Sequence, residues 1–168
     1  KSRWLAKRKG RIARIDREAN PMILASEVSG YIAGIIDGEG CITMDRRENK
    51  SPMTLIAVGN TNERLIHWLH DRLGGSIRRM HPSTDRCKAV WHWQLYAIEA
   101  RRLLRAILPH LMIKRRHAEI VLAFHAARIM RHRHNPVVPP EPEPFASLLS
   151  ELKALNRRGP RPDPSPSP

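Results

Sequence analysis

Apolar positions along this chain switch between two spacings, and the switches lay out its elements. Residues 26–37 are dense in branched and small apolar side chains, with Ser26 as the expected N-cap and Glu27 and Ser29 in the first turn; this predicts a helix. Over 41–47 the spacing falls to two, Ile42 and Met44 alternating with Thr43, Asp45 and Arg47, the pattern of a half-buried strand. Residues 46–52 are a charged turn, and 53–58 a second strand that closes a hairpin. Asn60-Thr61-Asn62 caps a helix at 63–73, where Leu65, Ile66, Leu69 and Leu73 form one stripe and Gly74-Gly75 ends it. A short strand follows at 76–80, with Ile77 inward and Arg78 outward. The fourth strand, 87–96, sets Trp91, Trp93 and Leu95 on one face and His92, Gln94 and Tyr96 on the other. Two more helices are predicted at 98–108, stopped near Pro109, and at 113–132, with Ile120, Val121, Phe124 and Ile129 buried.

The order is α-ββ-α-ββ-α, so two hairpins build a four-stranded antiparallel sheet with helices on one face, an α+β arrangement. Around this core at 22–134 lie a basic extension at 1–21, a stiff proline-rich linker at 135–144, a helix at 145–157 and a Pro/Ser-rich tail at 158–168 expected to be disordered. The helix at 145–157 is marked by Leu148, Leu149, Leu152 and Leu155. The extension reads either as a basic helix along a phosphate backbone or as a solvated tail. Asn20-Pro21 ends it.

Composition points to the partner. The chain carries 30 Lys and Arg against 16 acids, a net charge of +14. Such an excess selects a polyanion, nucleic acid before membrane, and no run reaches the roughly 18 apolar residues of a membrane span. Two cysteines, Cys41 and Cys87, make no disulfide framework and suit an intracellular setting. Arg131-His132-Arg133-His134 has no acid or Cys at ligand spacing, and reads as a basic helix end rather than a metal site.

One stretch stands apart. Residues 31–40 run Tyr-Ile-Ala-Gly-Ile-Ile-Asp-Gly-Glu-Gly, an apolar helix that stops in two acids. Carboxylates at a helix C-terminus oppose the macrodipole unless a cation compensates, and a hard divalent metal takes such oxygens. Gly30, Gly34 and Gly38 recur every four residues, although each glycine inside a helix costs about 1 kcal/mol relative to alanine. That recurrence predicts the close approach of a second helix, with Gly30, Ala33, Gly34 and Asp37 at the seam of a homodimer.

Ile32-Ala33-Gly34-Ile35-Ile36-Asp37-Gly38-Glu39-Gly40 resembles the signature of the LAGLIDADG homing endonucleases, with conservative exchanges only. The likeness extends over about 26–132 through the order of elements. Pro109-His110-Leu111-Met112-Ile113-Lys114-Arg115-Arg116 is similar to the segment that supplies the family's catalytic-pocket lysine. Residues 152–158 look like the late helix of single-motif members. The resemblance implies a saddle-shaped sheet in the DNA major groove, signature helices packed at a two-fold axis, and a metal-dependent staggered double-strand break in a long pseudo-palindromic duplex. The products would carry 3′ overhangs and 5′-phosphates, and the break would promote mobility of an intron or intervening sequence.

In that reading Glu39 is the metal ligand, and the Gly38 carbonyl is the second. The family shows Asp at this position, and Glu is one methylene longer. Asp37 is structural, an acceptor at the helix end across the dimer seam. Lys114 polarises water or stabilises the phosphorane, although a lysine before Arg115 and Arg116 also reads as a solvated basic face. Asn60 and Arg64 match positions of the solvent network around the phosphate, and Asn60 reads equally as a helix cap. Mg2+ is the implied cofactor, with Mn2+ substituting and Ca2+ supporting binding without cleavage. Base readout falls to Thr43, Asp45, Arg47, Asn49, Arg78, Met80, His92 and Gln94. Phosphate contacts fall to Arg46, Lys50, Arg79, Arg86, Lys88 and Arg116. An RNA-binding intron maturase and a non-cleaving DNA-binding regulator are the alternatives on the same scaffold; intact Glu39 and Lys114 argue against the regulator.

Overall fold

In the computed structural model the described residues are 20–45, 52–80, 88–134 and 145–157, with the side chains of Asp45 and 128–134 outside that set. The elements run α1 (Ser26–Glu39), β1 (Gly40–Asp45), β2 (Met53–Asn60), α2 (Glu63–Leu73), β3 (Ser76–Met80), β4 (Val90–Tyr96), α3 (Ala97–Ile107), a 3-10 turn (Leu108–His110), α4 (Arg115–His134) and α5 (Phe145–Leu155). This is the expected α+β order. Residues 1–19 of the basic extension, Arg46, Arg47, Asn49, Lys50, Arg86, Cys87, the linker and the tail all lie outside the described residues.

The sheet is antiparallel throughout, in the order β1-β2-β4-β3. Alternation in sequence becomes alternation in burial: Ile42, Met44, Ile56, Val58, Trp93 and Leu95 turn under the helices. They meet Ile66, Leu69, Leu103, Leu104, Val121 and Phe124 there, the apolar stripes of α2, α3 and α4. Each such side chain removed from water contributes about 1.5–3 kcal/mol, which fixes the register, since a one-residue slip would expose the whole set. The opposite face is uncovered. Register sets Arg78 beside His92, and Gln94 beside Ala57 on one side and Ser76 on the other.

The boundaries shift in places. Ser26 is not the N-cap; Ala25 holds that position and its side chain makes no capping hydrogen bond. Asn62 caps α2, accepting from the Leu65 N–H at 3.3 Å, while Asn60 accepts from the Asn62 N–H at 2.8 Å. The Gly74-Gly75 stop has a further reason. Trp93 is fully buried and its indole N–H donates to the Gly74 carbonyl at 2.8 Å. Gly75, at φ +93, passes so close that a Cβ would sit 2.4 Å from the Gln94 oxygen.

Candidate active site

The end of α1 is built from its own chain. The helix continues through Glu39, two residues past the expected stop, so Glu39 stands on its last turn with an exposed side chain. Asp37 points the other way. Its carboxylate accepts the backbone N–H groups of Met112 and Lys114, each at 2.8 Å. Burial works to raise its pKa, but the N–H donors of Met112, Lys114 and Ile113 and the Lys114 charge outweigh that, holding the carboxyl below its usual 3.8. Asp37 is thus an acceptor at the helix end, as expected, but for a loop of its own protomer rather than across a seam.

This loop delivers Lys114. The residue precedes α4, is half-buried, and its ammonium donates to the Asp37 main-chain oxygen. A cation therefore does compensate the α1 C-terminus. The helix end and the lysine are joined at three points of one loop, with Glu39 just beyond. Ile113, expected inside α4, lies exposed in that loop beside Met112.

Behind Lys114 lie three groups that residue spacing did not single out. His117 is buried; its ring is hydrogen-bonded to the Leu155 carbonyl, and its Nδ1 has no partner among the described residues. Burial pushes its pKa below 6.5, the Leu155 carbonyl opposes, the Lys114 charge lowers it further and the Asp37 charge raises it. Cys41 is half-buried, burial pushing its thiol above 9.0 against the Lys114 charge. Asn156 links to Cys41 and to the Ile42 carbonyl.

Other expected residues fall in separate places. Asn60 and Arg64 stand at the end of β2 and in the first turn of α2, Arg64 exposed beside Tyr31, Asn62 and Trp68 around a hollow of about 260 Å³. Thr43, Arg78, Met80, His92 and Gln94 share the uncovered sheet face, where the Gln94 amide oxygen accepts from the Tyr96 hydroxyl at 2.7 Å. Arg79 lies over the Trp91 ring at 5.5 Å, and Lys88 is exposed. Arg116 is exposed and pairs with Glu151 of α5 at 2.7 and 3.1 Å and with Glu119 of its own helix at 3.6 Å.

The seam also needs correction. Ala33 is fully buried in its own core and cannot face a second helix. Gly34 and Gly38 do lie open, with nothing within 4 Å of an added Cβ, and Gly30 meets only His110 at 3.9 Å. Tyr31, 55% exposed, continues this face.

Oxygen donors at the α1 end suit a hard cation. Among the described residues no group of three or more His, Cys, Asp or Glu converges, so a closed protein cage is excluded there. The donors left at this end are the exposed Glu39 carboxylate and the Gly38 carbonyl, oxygens of the type a hard divalent cation takes.

Solved structures share this architecture. The archaeal intron-encoded homing endonuclease I-Vdi141I, complexed with DNA, matches 80% of this chain and 87% of its own, at TM-score 0.59 and 15% identity. The homing endonuclease I-CvuI, in complex with its target in the presence of Ca, matches 76% and 81%, at 0.56 and 18%. The LAGLIDADG meganuclease I-AabMI, bound to uncleaved DNA, matches 76% of this chain but 42% of its own, at 0.50 and 16%. No family model and no curated protein matches the sequence. The chain has the fold of the LAGLIDADG homing endonucleases.

Proposed function

We propose that this protein is a homodimeric, divalent-metal-dependent DNA endonuclease. It makes a staggered double-strand break in a long pseudo-palindromic duplex, and so promotes mobility of an intron or intervening sequence. One observation carries the reading: Lys114 is tethered to the end of the helix from which Glu39 projects into solvent. The solved neighbours I-Vdi141I and I-CvuI are DNA complexes, which supports a duplex as partner.

Mg2+ held by Glu39 and the Gly38 carbonyl would supply Lewis-acid stabilisation and a more acidic water. The Lys114 ammonium, held beside the Asp37 main-chain oxygen, offsets negative charge gathering on the phosphorane. Overall, a water oxygen bonds to phosphorus and the bond from phosphorus to the 3′ oxygen breaks. One water proton goes to solvent and the leaving oxygen takes up another, giving a 3′-hydroxyl and a 5′-phosphate. Arg64, exposed in the first turn of α2, adds a positive charge apart from this site.

The uncovered sheet face supplies the reading surface. Arg78, His92 and Gln94 present hydrogen-bonding groups suited to base edges in the major groove, while Thr43 and Met80 offer methyl contacts. The net charge of +14 supplies sequence-independent attraction to phosphates. Pairing two protomers along Gly30, Gly34 and Gly38 sets two Glu39 side chains near a two-fold axis, matching a two-fold target.

The test is cleavage of a randomised duplex library with Mg2+, alongside binding with Ca2+. Specific cutting that vanishes in Glu39→Gln while binding persists is the expected result. Tight binding with no cutting in Mg2+ or Mn2+ overturns the endonuclease reading.

A further inference from the structure

Glu39 and Lys114 lie outside α5, yet α5 and the residue after it are bonded to the segments that carry both. Its apolar side is docked: Phe145, Leu149 and Leu152 are buried, and Phe145 meets Phe124 edge-on at 5.2 Å. Just past its end, the Asn156 amide donates from Nδ2 to the Ile42 oxygen at 3.0 Å, and Oδ1 faces the Cys41 thiol at 3.9 Å. β1 is an edge strand, so this amide takes the place of a missing neighbouring strand two to three residues after Glu39. One residue earlier, the Leu155 carbonyl accepts from the His117 ring, three residues after Lys114. The Arg116–Glu151 pair joins the same two helices.

Asp37 ties the front of the site, and α5 ties its back. We propose that α5 is a clamp that fixes the placement of Glu39 relative to Lys114, with Asn156 as a positioning residue for phosphodiester hydrolysis. The inference rests on the endonuclease reading. A carboxylate on an exposed helix end has room to drift, and a misplacement of about 1 Å costs on the order of 100-fold in rate.

Asn156→Asp keeps the shape but removes the donor to the Ile42 oxygen; Asn156→Ala removes it without adding charge. Single-turnover cleavage in Mg2+ is expected to fall by about 10- to 100-fold in both, with duplex affinity in Ca2+ unchanged. In a Cys87→Ser background, iodoacetamide should alkylate Cys41 several times faster than in the parent. Cleavage at the wild-type rate in both variants overturns the clamp, as does a parallel loss of binding and cleavage. If the wild type binds but does not cut, the endonuclease reading fails instead. Cys41 reactivity then judges the clamp alone, and an unchanged alkylation rate overturns it.

Discussion

Asp37→Ala tests whether the α1 end is held by its own chain. The carboxylate accepts two backbone N–H bonds at 2.8 Å, from Met112 and Lys114. Hydrogen bonds to a charged group contribute about 1.5–3 kcal/mol each, and a half-exposed acceptor belongs at the lower end, giving a loss of about 3 kcal/mol. For a chain of this size that lowers Tm by about 6–12 °C. Asp37→Asn keeps one carbonyl oxygen and no charge, and should lose about half as much. The pKa shift adds a pH signature. A carboxyl held below its usual 3.8 contributes stability that is fully present above that value and is lost as pH falls through the folded pKa. The gap between wild type and Asp37→Asn should therefore be constant near neutrality and close below about pH 4. Thermal melts followed by circular dichroism across this range are the assay. A Tm change under about 1 °C in Asp37→Ala, or a gap that stays constant into acid, refutes the reasoning.

Four further outcomes are expected. Gly34→Ala, with open space at its Cβ, should leave each protomer as stable or stabilise it by up to about 1 kcal/mol, yet shift the protein toward monomer in sedimentation; an unaltered assembly removes Gly34 from the seam. Gly75→Ala, whose Cβ meets the Gln94 oxygen at φ +93, should cost more than about 1 kcal/mol in urea titrations. Thr54→Val deprives buried His125 of a 2.9 Å partner and should cost about 1–3 kcal/mol by the same measurement. His117, whose folded pKa lies below 6.5, binds its proton more readily when unfolded, so its contribution is intact above about 6.5 and declines as pH falls; His117→Gln should flatten that part of the stability profile.

The elements were legible because each follows from local spacing. Alternation at Ile42 and Met44 and at Trp93 and Leu95 gave the correct strand faces, since burial on one side enforces period two. The signature and the segment after the third helix singled out Glu39 and Lys114, and the structure brings Lys114 to the end of the helix that carries Glu39. What escaped was the pairing of side chains with distant backbone. Nothing near Asp37 shows that its partners are the N–H groups of Met112 and Lys114, 75 and 77 residues on. Ala33 reads like its glycine neighbours on small size alone, but the helix turns it into the core while Gly34 faces out. The local partner of Arg116, Glu119 at i+3, was visible in the spacing, but its shorter contact, to Glu151, comes from another helix. His117 is the residue that spacing could have flagged: it shares the buried side of α4 with Ala118, Val121 and Phe124.

The bond from Asn156 to Ile42 spans 114 residues, and that separation orders events in time. Glu39 leaves the ribosome with α1 and β1, whereas the amide that closes the β1 edge follows 117 residues later. At about 5–20 residues per second that interval is roughly 6–23 s. Through it Glu39, on the last turn of α1, is followed by a strand whose outer edge is open, and His117 has no Leu155 carbonyl to bond. The placement that α5 is proposed to fix is thus completed only after α5 itself has been made.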